Sequence, residues 1–187
     1  MRQLKSNRSA GSLATLAVSA LALLVPAAAH AASGGTSPGG TAPPTTAPTV
    51  PGAKAKLVNG TAVAPADAPQ AVKDIIAAAN KIDDKPYVYG GGHGSFKDDG
   101  YDCSGSVSFA LHGAKLLKTP LDSSGLAKWG EPGPGQWVSV YGSPSHAYMV
   151  VAGLRFDTSM TPGNGPGWSR SMRSTTESYK VRHPAGL

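Results

Sequence analysis

The chain contains one cysteine, Cys103, in the stretch Gly100-Tyr101-Asp102-Cys103-Ser104-Gly105. With no second thiol to pair with, it is half of an intermolecular bridge, a small buried hydrophobe or a reactive group. Its surroundings favour reactivity. Gly100 can end an extended segment, Asp102 is a suitable N-cap, and Ser106, Val107, Phe109, Ala110 and Leu111 read as a helix with an apolar face. Cys103 then falls in the first turn, where unpaired N–H groups and the positive end of the helix dipole favour thiolate, the nucleophilic form.

A thiol nucleophile needs a base, and the base needs a group that orients it. Of the five histidines, His146 is the candidate base, because it follows Ser143-Pro144-Ser145 and opens a run rich in β-branched residues, where a sheet end could meet the cysteine helix. The others are read differently. His30 lies in the N-terminal leader, and His93, in the glycine-rich Gly90-Gly91-Gly92-His93-Gly94, is read as a loop side chain with no chemical task. His112 lies nine residues after Cys103, half a turn round the same helix, and is read as solvated; His183 sits in a polar tail.

The third group is Asp157 or Thr158, eleven and twelve residues beyond His146 on the next strand of a hairpin. A carboxylate is the better chemistry, since it accepts from the imidazole N–H and stabilises the imidazolium. A slip of one residue in register would present Thr158 instead. No CxxC or HExxH spacing exists, so no metal is expected, and nothing in the sequence calls for a cofactor. The glycine-rich loop lacks the lysine and hydroxyl of a phosphate cradle.

The elements that must position these residues follow from periodicity. Residues 69–83 place Ala71, Val72, Ile75, Ile76, Ala79 and Ile82 at helical spacing, predicting an amphipathic helix that packs on the one starting at Cys103. Residues 116–135 are irregular. Residues 137–141, 147–152 and 154–158 then read as strands, with another near 179–182. Helices first and an antiparallel sheet after them make an α+β domain.

The 187 residues suffice for one domain with appendages. Residues 1–31 have a secretory layout: basic Arg2, Lys5 and Arg8, an apolar run from Leu13 to Val25, and Ala29-His30-Ala31 as cleavage site. The run is shorter than the roughly 20 residues of a membrane span, so no stable span is expected after cleavage. Removing residues 1–31 lowers the formal charge from +6 to +3, because three basic and no acidic side chains leave. So mild a charge does not argue for nucleic-acid binding, and it suits weak attraction to an acidic envelope polymer. Residues 32–68, rich in Gly, Ser, Thr, Pro and Ala, are expected to form a disordered linker reaching on the order of 100 Å. The folded domain is then expected at 69–187, as a monomer.

The combination "PYVYGGG", "GYDCSGSVSFAL" and "SHAYMVVAG" resembles the NlpC/P60 cysteine peptidases of bacterial cell walls, whose pattern is Y-x-W/Y-G-G, then D-C-S-G at a helix start, then a histidine opening a strand. The resemblance covers residues 69–158. It implies a papain-like α+β fold and secretion to the cell wall, with hydrolysis of peptide bonds in peptidoglycan stem peptides. By matching positions it implies Cys103 as nucleophile and His146 as base, with Tyr87, Asp102 and Ser104 shaping substrate subsites. The chain departs from the pattern in "GPGQWVSVYGSPS" before the histidine and in Asp157 at the third position, where the family often has His. A CHAP-type amidase also pairs a helix cysteine with a strand histidine, and the segment from Tyr87 to Gly91 favours NlpC/P60 over it. An inactive wall-binding module is the alternative from a different class, and intact Cys103 and His146 speak against it.

Overall fold

The structure, a computed structural model, describes residues 47–159, 165–174 and 178–187. The secretory leader expected at 1–31 and the linker residues 32–46 lie outside the described residues.

Residues 47–68, expected to continue the linker, form a small sheet instead. Strands β1 (Thr49–Val50), β2 (Lys56–Val58) and β3 (Thr61–Pro65) lie in the order β1-β3-β2. The β2–β3 hairpin turns at Asn59 and Gly60, with φ of 50° and 87°. Positive φ at both central positions is what a two-residue hairpin turn requires, and Asn-Gly supplies it at little cost. Large aliphatic side chains are few here, and none is fully buried, yet Ala62, Ala64 and Ala68 are. Small residues suffice because β3 lies close against the first helix.

That helix, α1 (Gln70–Ala79), buries Val72, Ile75, Ile76, Ala78 and Ala79, the apolar face expected from its spacing. It stops short of residue 83. Asn80 caps its end and turns its amide outward: Nδ2 donates to the Ala62 carbonyl (2.8 Å), while Oδ1 accepts from the Ala62 N–H (3.2 Å) and from Trp168 Nε1 (2.9 Å). One side chain thus ties the small sheet, α1 and a distant strand together.

Helix α2 (Cys103–Gly113) packs on α1. Within the irregular stretch after it, Asp122 caps a short helix, α3 (Ser123–Leu126). The strands that follow are β4 (Glu131–Pro132), β5 (Val138–Gly142), β6 (Ala147–Val151), β7 (Leu154–Asp157), β8 (Gly167–Ser169) and β9 (Lys180–His183). They form a six-stranded antiparallel sheet in the order β4-β9-β5-β6-β7-β8. One face, carrying Val138, Val140, Met149, Val151 and Phe156, is buried with Val107, Ala110 and Leu111 of α2. The class is α+β, as expected. The C-terminal residues belong to the sheet rather than to a loose tail: β9 lies between β4 and β5, and the Leu187 carbonyl accepts the N–H groups of Trp137 (2.5 Å) and Val138 (3.2 Å).

Candidate active site

Cys103 opens α2, where Asp102 has the extended conformation of an N-cap and its Oδ1 accepts from the Gly105 N–H (2.7 Å). The glycine-rich loop is fastened to the same point. Asp102 Oδ2 accepts from the Gly90 N–H (3.1 Å), and the Asp102 N–H donates to the Gly91 carbonyl (3.2 Å). A Cβ on Gly105 would collide with that carbonyl. A glycine in the first helical turn therefore lets loop and helix meet backbone to backbone.

His146 is delivered by a turn before β6. Ser143 Oγ accepts the His146 N–H (3.1 Å), and the Ser143 N–H donates to the His146 carbonyl (2.9 Å). In the β6–β7 hairpin Met149 pairs with Phe156. Continuing that register sets position 157 opposite 148 and 158 opposite 147, so Asp157 shares a face with His146 and Thr158 does not. His146 Nε2 lies 2.9 Å from Asp157 Oδ1. Thr158 gives only its backbone N–H to that oxygen (2.8 Å). With Nε2 engaged by the carboxylate, Nδ1 is the nitrogen left for the thiol, and His146 and Cys103 each shift the other's pKa toward the charged form.

The charges reinforce one another. Burial pushes the Cys103 thiol up, but hydrogen bonds from His146 and the Ala147 N–H, with the imidazolium charge, outweigh it and leave the pKa lowered. Burial pushes His146 down, but its hydrogen bonds to Asp157 and Cys103 and their negative charges carry it up to about 9. Asp157, with a fully buried side chain, is pushed up by that burial and pulled further down by His146, Arg173 and Arg155. The raised imidazole and the lowered thiol and carboxylate each favour the charged form of the other two groups.

The residues expected to shape substrate subsites divide. Tyr87 is 40 % exposed. Burial raises its pKa first and the Cys103 charge second, so it stands within electrostatic reach of the thiol. Asp102 and Ser104 are buried, and their polar atoms are spent on the helix cap and on His93. They hold the loop beside the cleft in place.

His93 has the partners that sequence reasoning denied it: Nε2 lies 3.0 Å from Asp102 Oδ1 and 3.2 Å from Ser104 Oγ. Its closeness in sequence to Asp102 was the available signal. His112 is exposed but stacks on Phe96, with ring centroids 3.8 Å apart. His183 bridges Glu131 (3.3 Å) and the Gly133 carbonyl (3.0 Å). Arg173, whose Nε donates to Asp157 Oδ2 (2.8 Å), was not foreseen, and no local pattern marks it. Among the described residues no group of three or more His, Cys, Asp or Glu could hold a metal ion, and no helix is long and apolar enough to cross a membrane.

No family model matches the chain, and no curated protein matches it. Solved structures do. The chain is similar to the peptidoglycan hydrolase RipB from Mycobacterium tuberculosis at 22% identity and a TM-score of 0.50, over 61% of this chain and 64% of that one. It thus spans somewhat less than two thirds of RipB. It is also similar to the P60 domain of an antigen from M. avium subspecies paratuberculosis (21% identity, TM-score 0.48, 60% of this chain and 94% of that one). A third is RipD from M. tuberculosis, described as a non-catalytic NlpC/p60 domain protein adapted to peptidoglycan binding (20% identity, TM-score 0.48, 62% and 98%). The fold of this chain is thus an α+β architecture of the kind seen in RipB.

Proposed function

We propose that the protein is a secreted cysteine endopeptidase that hydrolyses peptide bonds in the stem peptides of peptidoglycan. The observation that carries this reading is the chain of contacts from Cys103 through His146 to Asp157, with the imidazole held at 2.9 Å by a buried carboxylate. A merely structural histidine at a strand end has no need of a thiol on one side and a buried carboxylate on the other.

In this mechanism the Cys103 thiolate adds to the scissile carbonyl carbon. The oxyanion is met by the Cys103 N–H, which as the first of α2 has no partner within the helix. The tetrahedral adduct collapses as the His146 imidazolium gives its proton to the departing amine, leaving a thioester on Cys103 and a neutral imidazole. Water then attacks the thioester as His146 takes one of its protons, and the adduct collapses with the thiolate restored and a carboxylic acid released, which gives its remaining proton to solvent. Asp157 fixes the ring and stabilises it each time it is charged. Tyr87, 40 % exposed and within electrostatic reach of the thiol, stands where the stem peptide would approach it.

The sequence of residues 1–31 and the mild positive charge of the remainder suit an acidic substrate outside the cell. Incubating purified peptidoglycan with the protein should release soluble fragments detectable by mass spectrometry, and Cys103→Ala should release none. Retention on peptidoglycan with no release by the wild type would instead favour a wall-binding module.

A further inference from the structure

Resting on the triad reading above, we propose that Arg173 is a positioning residue of the catalytic centre, holding the Asp157 carboxylate so that Oδ1 faces His146. The two oxygens of Asp157 have divided tasks. Oδ1 accepts from His146 Nε2 (2.9 Å) and the Thr158 N–H (2.8 Å). Oδ2 accepts from Arg173 Nε (2.8 Å), with Ser159 Oγ at 3.4 Å and Arg155 Nε at 3.6 Å. A carboxylate held only through Oδ1 can still turn about its Cβ–Cγ bond. The Arg173 contact on the other oxygen fixes that plane.

Arg173 is itself held. Its guanidinium lies over the Tyr148 ring at 5.9 Å, Tyr148 stacks on Tyr141 (4.5 Å), and an Arg173 terminal nitrogen donates to the Tyr179 hydroxyl (3.4 Å). The clamp therefore joins the segment after β8 to the sheet face that carries Tyr141 of β5, Tyr148 of β6 and the Asp157 carboxylate of β7. The groups facing Asp157 come from each neighbouring element: His146 and Tyr148 from β6 and its entry, Arg155 from β7, the Thr158 N–H and Ser159 from the turn after it, and Arg173 from beyond β8. Cys103 meets this cluster through His146. After His146, the Arg173 charge is the next influence that keeps Asp157 ionised to lower pH.

The test is the rate of Cys103 alkylation by iodoacetamide across pH in wild type, Arg173→Met and Arg173→Lys, with thermal melting of each. Loss of the group that holds Asp157 against the imidazole should weaken the imidazolium that supports the thiolate, and so move the acid limb upward by on the order of one pH unit in Arg173→Met. That is about a tenfold slower reaction on the limb. Arg173→Lys, which keeps the charge, should recover most of the shift. An unmoved limb in Arg173→Met, whether or not its melting temperature falls, would overturn the proposal and leave Arg173 a structural contact. Alkylation is read without peptide substrate, so a wild type that fails to cut peptidoglycan while its limb still moves in Arg173→Met would refute the peptidase reading alone.

Discussion

Asp157 Oδ1 lies 2.9 Å from His146 Nε2 although the two residues are not directly opposite in the hairpin, position 157 facing 148. They are diagonal neighbours on one face, a separation that long side chains and rings can bridge. Thr158 points to the other face and contributes a backbone N–H. Asp157→Asn should therefore lower the His146 pKa and cut turnover by more than tenfold. Thr158→Val should change turnover by a few-fold at most, since a neutral hydrogen bond is worth about 1 kcal/mol net. Equal losses in both variants, measured by peptidoglycan turnover, would contradict the register.

The pH profile follows from His146, whose pKa is pushed up to about 9. Acylation needs the imidazolium as acid, so activity should fall as pH rises through about 9. Stability should move the same way. A group whose pKa is raised on folding adds stability that is complete below its unfolded value of 6.5 and lost as pH rises through about 9. Asp157 works oppositely: its lowered pKa adds stability that is lost as pH falls through the folded value. Activity against pH, set beside melting temperature against pH for wild type and His146→Gln, checks both limbs.

Gly105→Ala would drive a methyl into the Gly91 carbonyl, a backbone atom that cannot swing aside. Overpacking of this kind costs about 1–3 kcal/mol. Because Gly105 also donates to Asp102, the helix cap beside Cys103 should loosen with it. Chemical denaturation should show the stability loss, and iodoacetamide should show an altered Cys103 reactivity.

The small N-terminal sheet should prove part of the domain. Deletion through residue 68 removes β1, β2 and β3 together with the Ala62 partner of Asn80. Its melting temperature should fall well below that of a deletion through residue 46. Equal melting temperatures would show that the sheet contributes nothing to the fold.

The cysteine helix was legible because its signals are local: Asp102 as a cap followed by apolar residues at helical spacing. The β6–β7 hairpin was legible for the same reason, though its register was not, since strand parity depends on where the turn residues Ala152 and Gly153 fall. Strands β2 and β3 were missed by weighing side-chain size, although Asn59-Gly60 between apolar residues is a strong hairpin signal. The insertion of β9 between β4 and β5 and the reach of Arg173 to Asp157 are non-local pairings that no window of sequence contains. His93 falls between these cases. It sits near its partner in sequence, but only the close packing of the glycine loop on α2 brings the two together.

The central claim is tested most directly by digesting purified peptidoglycan in heavy-oxygen water and sequencing the products by mass spectrometry. Cleavage within the stem peptide, with one heavy oxygen in each new carboxyl group and no product from Cys103→Ala, is the predicted result. Cleavage at the bond between glycan and peptide, as an amidase would give, or the same products from Cys103→Ala, would contradict it.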